Sequence, residues 1–162
     1  MVYFITLVTN LWDKVPFVPT SQRIVNHVIK LAKLKKGEKV YDLGCGDGRF
    51  LLEAQKKTKV EAVGYENALL PFLLAKFRKF INSAKINIKM NNFFKADLSD
   101  ANVIYCYLGP DVMPTLGKKF KSECKKGTRI YSNSFSIKNL EPKKVWPRDK
   151  KNKLPTVYLY QI

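Results

Sequence analysis

The run Val40-Tyr41-Asp42-Leu43-Gly44-Cys45-Gly46-Asp47-Gly48-Arg49 constrains the fold more than any other stretch of this chain. A short apolar strand ends in an acid, glycines alternate through a turn, and a helical pattern follows. Glycine has no Cβ and tolerates positive φ, so such a turn lets backbone come close to a ligand. The spacing restricts which ligand. A dinucleotide fingerprint, G-x-G-x-x-G/A, needs a small third residue where helix packs on strand. Counting from Gly44 and Gly46, that position is Arg49, so the dinucleotide reading fails. A P-loop needs G-x-x-x-x-G-K-[ST], and no such lysine follows. Charge adds a second restriction: the chain carries 30 Lys+Arg against 13 Asp+Glu, a net charge of +17. Acids are scarce, yet Asp42, Asp47 and Glu66 fall within or shortly after this loop, where a phosphate seat would avoid them.

Val60-Glu61-Ala62-Val63-Gly64-Tyr65-Glu66 reads as the second strand, and it ends in an acid 24 residues after Asp42. An acid at that place accepts hydrogen bonds from ribose hydroxyls in doubly wound folds. Glu66 is long enough to take both hydroxyls. The loop D-x-G-x-G-x-G is similar to the cofactor loop of class I S-adenosylmethionine (SAM) methyltransferases. That cofactor presents a sulfonium, an ammonium and a ribose diol, three groups that carboxylates suit.

At 162 residues the chain makes one domain, large enough to bury roughly 70% of its unfolded surface. Hydrophobic residues make up 46%, which argues against global disorder. Cys45, Cys106 and Cys124 are scattered, and His27 is the single histidine, so no metal set is expected and a reducing cytoplasm fits. Residues 1–15 form an apolar N-terminal segment ahead of a domain over 16–162. Met1 to Trp12 is broken by Thr6, Thr9 and Asn10 and falls short of the ~20 apolar residues a bilayer span needs. It also lacks the basic region and small-residue cleavage site of a signal peptide. Packing on the domain and peripheral membrane contact through residues 1–12 both remain open.

Helix and strand patterns alternate, which predicts an α/β fold with a mostly parallel sheet and helices on both faces. Thr20 or Ser21 caps a helix carrying Ile24, Val25, Val28, Leu31 and Ala32, closed by Gly37. Strands are expected at 39–43, 60–66, 86–90, 102–108, 128–132 and 156–162, with a short one at 143–146. Helices fall at about 48–57, 69–82 and 111–124. Two terminal strands without an intervening helix make an antiparallel hairpin. The whole is the Rossmann-like, doubly wound, seven-stranded architecture of class I methyltransferases, by resemblance.

Several segments resemble, in order, one lysine methyltransferase family: P-F-V-P-T, V-Y-D-L-G-C-G-D-G-R, A-V-G-Y-E, N-N-F-F-K-A-D-L-S-D-A-N-V-I, Y-L-G-P-D-V and K-K-G-T-R-I-Y-S-N-S-F. That family comprises the enzymes that modify the ATP synthase c-subunit and the adenine nucleotide translocase; small archaeal protein lysine methyltransferases look similar. The resemblance covers about residues 16–162. It implies a SAM site built from Thr20, Asp42, Gly44, Cys45, Gly46, Asp47, Gly48, Glu66, Asn92, Phe93, Tyr107 and Leu108. Within it the Asn92 carbonyl faces the adenine amino group and Phe93 covers the ring. It implies a substrate channel walled by Tyr107, Asn133 and Phe135, with no general base assigned. One departure bears on chemistry: Asn133-Ser134-Phe135 stands where the family often has His-Asp/Glu-Phe.

The expected partner is a protein presenting a target lysine to a monomeric enzyme. Nucleic acid is the rival, motivated by the charge. Enzymes methylating exocyclic base amines resemble (D/N)-P-P-(Y/F) after the fourth strand, where this chain has Tyr107-Leu108-Gly109-Pro110. Its lysines are also spread out rather than gathered in one patch. A non-catalytic SAM-fold scaffold would not need both the loop and Glu66.

Overall fold

The computed structural model describes residues 19–162; the apolar segment expected over 1–15 and the lead-in at 16–18 lie outside them. Ser21 caps α1 (Gln22–Ala32), its hydroxyl accepting from the Ile24 N–H, and Val25, Val28, Ile29 and Ala32 form the buried face. The helix closes at Lys33, which takes φ +44°, rather than at Gly37, whose φ of +81° serves the following turn. The earlier stop turns Leu34 into the core. Then follow β1 (Lys39–Leu43), α2 (Arg49–Thr58), β2 (Glu61–Glu66), α3 (Leu69–Ile81), β3 (Ile86–Met90), β4 (Val103–Cys106), α4 (Met113–Glu123), β5 (Arg129–Asn133), β6 (Lys144–Trp146) and β7 (Val157–Gln161).

The seven strands make one sheet in the order β3-β2-β1-β4-β5-β7-β6. The first five pair in parallel, while β7 runs antiparallel to β5 and β6 antiparallel to β7. The expected α/β sheet with its C-terminal antiparallel hairpin is therefore present. Chain order reverses between β1 and β4, and a crevice beyond the carboxyl ends of the strands at such a point is where doubly wound sheets hold ligands.

Both sheet faces are covered. Val25, Val28, Leu51, Ala54 and Ala75 from α1, α2 and α3 pack on one side with Val40, Ala62, Ile88 and Val103. On the other, Met113, Leu116 and Phe120 of α4 meet Leu43, Ile104, Cys106 and Ile130. Pro114 is tolerated near the start of α4 because first-turn amides have no intrahelical partner. Sheet pairing of β4 stops at Cys106, two residues before the expected end, so Tyr107 and Leu108 leave the ladder at the crevice.

Candidate active site

The glycine loop joins β1 to α2 with Gly44, Gly46 and Gly48 at φ of +76°, +54° and +75°. The N–H groups of Gly44 and Cys45 both donate to the Tyr65 carbonyl at 2.9 Å, pinning the loop to β2. A Cβ at Gly44 would lie 2.8 Å from Leu108 Cδ2, so only glycine lets Leu108 close against the loop. Cys45 contributes backbone alone to this turn. Its side chain is buried over β2, where a Cβ on Gly64 would meet Sγ at 2.6 Å. Burial first, then the charges of Asp42 and Glu66, push its thiol well above the ordinary range.

The three carboxylates expected here have different surroundings. Asp42, at 3% exposure, receives no hydrogen bond and no cation from the described residues. Burial first, then the negative charges of Glu66 and Asp47, raise its pKa well above the usual carboxylate range. Glu66 accepts from the Gly46 N–H at 2.8 Å through one oxygen and from the Asn67 and Ala68 N–H groups at 2.9 Å through the other. Asp47 is held by two arginines. Arg49 grips it in a bidentate pair, Nε to Oδ1 at 2.8 Å and Nη2 to Oδ2 at 2.6 Å, and Arg78 of α3 adds a contact at 3.3 Å. Burial alone would raise the Asp47 pKa, but the Arg49 bonds override it and hold the carboxyl below its ordinary value.

Asn92 and Phe93 sit beyond β3, at one turn of 3-10 helix over Phe93–Lys95. The Asn92 side-chain oxygen caps that turn, accepting from the Phe94 N–H at 2.9 Å, which leaves it one lone pair for a ligand. Phe93 and Phe94 lie with centroids 4.7 Å apart, half-buried against the α4-side core. Thr20 is held at the opposite rim, its carbonyl accepting from Arg49 Nη1 at 2.6 Å.

At the ends of β4 and β5 the expected substrate residues come together. Tyr107 and Phe135 lie nearly parallel, ring centroids 6.3 Å apart at 15°. Asn133 is 1% exposed and donates to the Tyr105 hydroxyl at 3.1 Å, while its carbonyl accepts from the Ser134 hydroxyl at 2.9 Å. Ser134 takes φ +70°, the left-handed region that costs a non-glycine residue about 1–2 kcal/mol. The turn is secured by the Ser134 N–H donating to the Thr156 carbonyl at 2.8 Å.

Tyr105 is the residue that sequence reasoning passed over. It is paired in register with Asp42 across β1 and β4, is stacked by Phe50 at 4.1 Å, and is reached at its hydroxyl by both Asn133 and Thr20. Burial, then the Asp42 charge, raises its pKa. The available signal was parity: a hydroxyl in an otherwise apolar strand, on the face that Asp42 shares. Arg49 and Arg78 were also missed as the partners of Asp47. Among the described residues no cluster of His, Cys, Asp and Glu could hold a metal ion. Cys106 is fully buried, its thiol pushed by burial to about 12, so it is no nucleophile.

Residues 42–144 match the family described as ANTKMT methyltransferase domain. The chain is 38% identical to a protein-lysine N-methyltransferase of Saccharolobus islandicus, the match covering 91% of this chain and 94% of that one. It is 31% identical to the adenine nucleotide translocase lysine N-methyltransferase of Mus musculus, over 89% of this chain and 67% of the relative. Among solved structures, an RNA methyltransferase from Salinibacter ruber in complex with S-adenosyl-L-homocysteine superposes with a TM-score of 0.82 at 27% identity, covering 90% of this chain and 94% of that one.

Proposed function

This chain belongs to the ANTKMT methyltransferase domain family, and from that premise we propose that it is a SAM-dependent enzyme transferring methyl groups to the ε-amines of protein lysines. The observation that carries the substrate class is the match to the Saccharolobus islandicus protein-lysine N-methyltransferase across nearly the full length of both chains.

The residues present suit the cofactor. Asp42 is a buried acceptor without a counter-charge among the described residues, which fits a cationic methionine end. Gly44 and Leu108 form a cradle that a Cβ would fill. Glu66 would hold the ribose hydroxyls, and Asn92 with Phe93 would border the adenine. Asp47 acts at one remove, clamping Arg49 and through it Thr20. When bound, SAM supplies an electrophilic methyl carbon on its sulfonium.

The protein must then deliver a neutral amine in line. A free lysine is only about 0.1% neutral near pH 7.4, a deficit of roughly 4 kcal/mol. Tyr107 and Phe135 offer an apolar wall that excludes water and disfavours the ammonium. Asn133, fixed by Tyr105 and Ser134, stands beside them as a neutral dipole rather than a carboxylate that would hold the proton. Alignment at this wall supplies the remaining rate.

The net charge of +17 disfavours self-association, so we place the enzyme as a monomer. No helix among the described residues is long and apolar enough to cross a membrane. Three free, buried thiols fit a reducing cytoplasm, with peripheral membrane contact open to residues 1–12. RNA is the second reading, favoured by the charge and by the Salinibacter ruber likeness. Methyl-labelled SAM incubated with cell extract separates the two: label removed by protease but not by nuclease supports lysine transfer, and nuclease-sensitive label overturns it.

A further inference from the structure

Helix α3 is built inside out for a surface helix. Its buried positions are small or cyclic, Pro71 and Ala75, whereas Leu70, Leu73, Leu74, Phe77, Phe80 and Ile81 all face solvent. Phe77 is 60% exposed and Phe80 82%. At 3.6 residues per turn the outward stripe, with Leu69, spans about 140° of the helix surface. Met90, 51% exposed at the end of edge strand β3, extends the apolar surface beyond the helix. A contiguous patch of this kind marks an interaction surface.

The charge around it says what covers it. Residues 67–96 contain six lysines and arginines and no acid. Arg78 is drawn inward to Asp47, but no carboxylate among the described residues pairs with Lys76, Lys79, Lys85 or Lys89. Lys79, from α3 itself, and Lys85, from the turn after it, also reach a groove of about 370 Å³ lined by Lys39, Glu61 and Lys89, but its floor, Tyr41 and Val63, belongs to the α4-side core and Asp100 pairs with Lys39, so that groove is not part of the α3 face. Exposed leucines and phenylalanines flanked by Lys76, Lys79 and Lys85, none of them paired with a carboxylate among the described residues, are the composition of a surface that lies in the headgroup layer of an anionic bilayer.

We propose that α3 and the basic rim beside it form a docking face for anionic lipid membranes. A second copy of the chain fits this face poorly, since pairing would set two acid-free, six-cation stretches against each other. Residues 1–18 carry one acid and one base, Asp13 and Lys14, and bring no net negative charge to the rim. Nucleic acid would engage the lysines and leave the phenylalanines in water. The face begins at Leu69, three residues after Glu66, so one end of it lies next to the strand end that carries Glu66. The proposal stands without the lysine reading, because its readout needs no methyl transfer.

The test uses the full chain with vesicles of phosphatidylcholine alone or mixed with phosphatidylglycerol. The protein should co-sediment with the mixed vesicles and far less with the neutral ones. Replacing Phe77→Asp together with Phe80→Asp should weaken that binding about tenfold or more, with melting temperature and SAM affinity unchanged. A Phe80→Trp variant should gain a blue-shifted emission component with the mixed vesicles that the unsubstituted chain lacks. Equal binding by the double variant, no binding to anionic vesicles, or an unshifted Trp signal would each overturn the proposal. So would a Leu7→Asp, Leu11→Asp variant that alone abolishes binding, or a dimer in sedimentation velocity that the α3 substitutions dissociate.

Discussion

Two parts of the crevice, on neighbouring pairs of strands, are built from opposite chemistry. At the ends of β1 and β2, Asp42, Asp47 and Glu66 crowd around one glycine loop, and their mutual repulsion helps raise the Asp42 pKa. At the ends of β4 and β5 the wall is Tyr107, Phe135 and Asn133, with Ser134 and Tyr105 behind it. On the proposed assignment of cofactor and lysine, the difference follows the charges to be handled. A cationic cofactor is held by carboxylates, whereas a lysine that must lose its proton is better met by rings and a neutral amide. Buried carboxylates near the amine would stabilise the unreactive ammonium. The first part is also rigidly braced, by Tyr65 and the Arg49–Asp47–Arg78 cluster. The second rests on one left-handed serine and a few hydrogen bonds.

Damage to the loop should have the largest effect. Gly44→Val combines left-handed strain, about 1–2 kcal/mol, with a Cβ driven into Leu108, about 1–3 kcal/mol more. It should lower the melting temperature sharply and abolish SAM binding in calorimetry. Gly37→Ala meets nothing within 4 Å and should show only the strain. Equal losses in the two variants would mean that Leu108 does not press on the loop.

Glu66→Ala comes next. Hydrogen bonds to a charged group contribute about 1.5–3 kcal/mol, so SAM affinity should fall on the order of tenfold to 150-fold. Unchanged affinity would leave Glu66 as only a brace for Gly46, Asn67 and Ala68.

On the acceptor side, Tyr105→Phe removes the acceptor of a buried Asn133 N–H, a cost of about 1–3 kcal/mol in denaturant titration. The rate should fall by more than SAM affinity, which the change reaches only through Thr20. Loss of SAM affinity as large as in Glu66→Ala would erase the division between the two parts.

The smallest effect is a pH dependence that belongs to the cofactor side alone. Because Asp42 has a raised pKa in the fold, it favours the folded state while protonated, and that contribution is lost as pH climbs from roughly 4 through its folded pKa. Asp42→Asn keeps the neutral form. Without cofactor it should melt above the unsubstituted protein near neutral pH, with the gap closing on acidification. SAM affinity should rise with pH as Asp42 ionises, and stay flat in the asparagine variant. A melting gap independent of pH would contradict the buried-charge assignment.

What could be read from the chain was local. Glycine spacing, the acid after Val40-Tyr41 and the acid ending β2 follow from a few consecutive residues, and so do most element positions. What escaped depends on contacts distant in sequence. The pairing of Asp47 with Arg78, thirty-one residues on, exists only once the chain is folded. Tyr105 reads as core until strand register sets it beside Asp42. The Asn92 oxygen also caps the turn after β3, a local contact that its amide chemistry alone does not reveal. Lys33 closes α1 in a conformation that propensity assigns to glycine, because burying Leu34 outweighs the strain.

The central claim is that methyl groups pass from SAM to lysine ε-amines, and mass spectrometry of a defined reaction tests it most directly. Purified enzyme is incubated with SAM and an equal-mass mixture of unmodified protein and total RNA, alongside a Glu66→Ala control that corrects for background. The account predicts one to three added methyl groups on lysine side chains, strongly reduced in the control, with RNA nucleosides unchanged. Methylated nucleosides with unmodified lysines would contradict it.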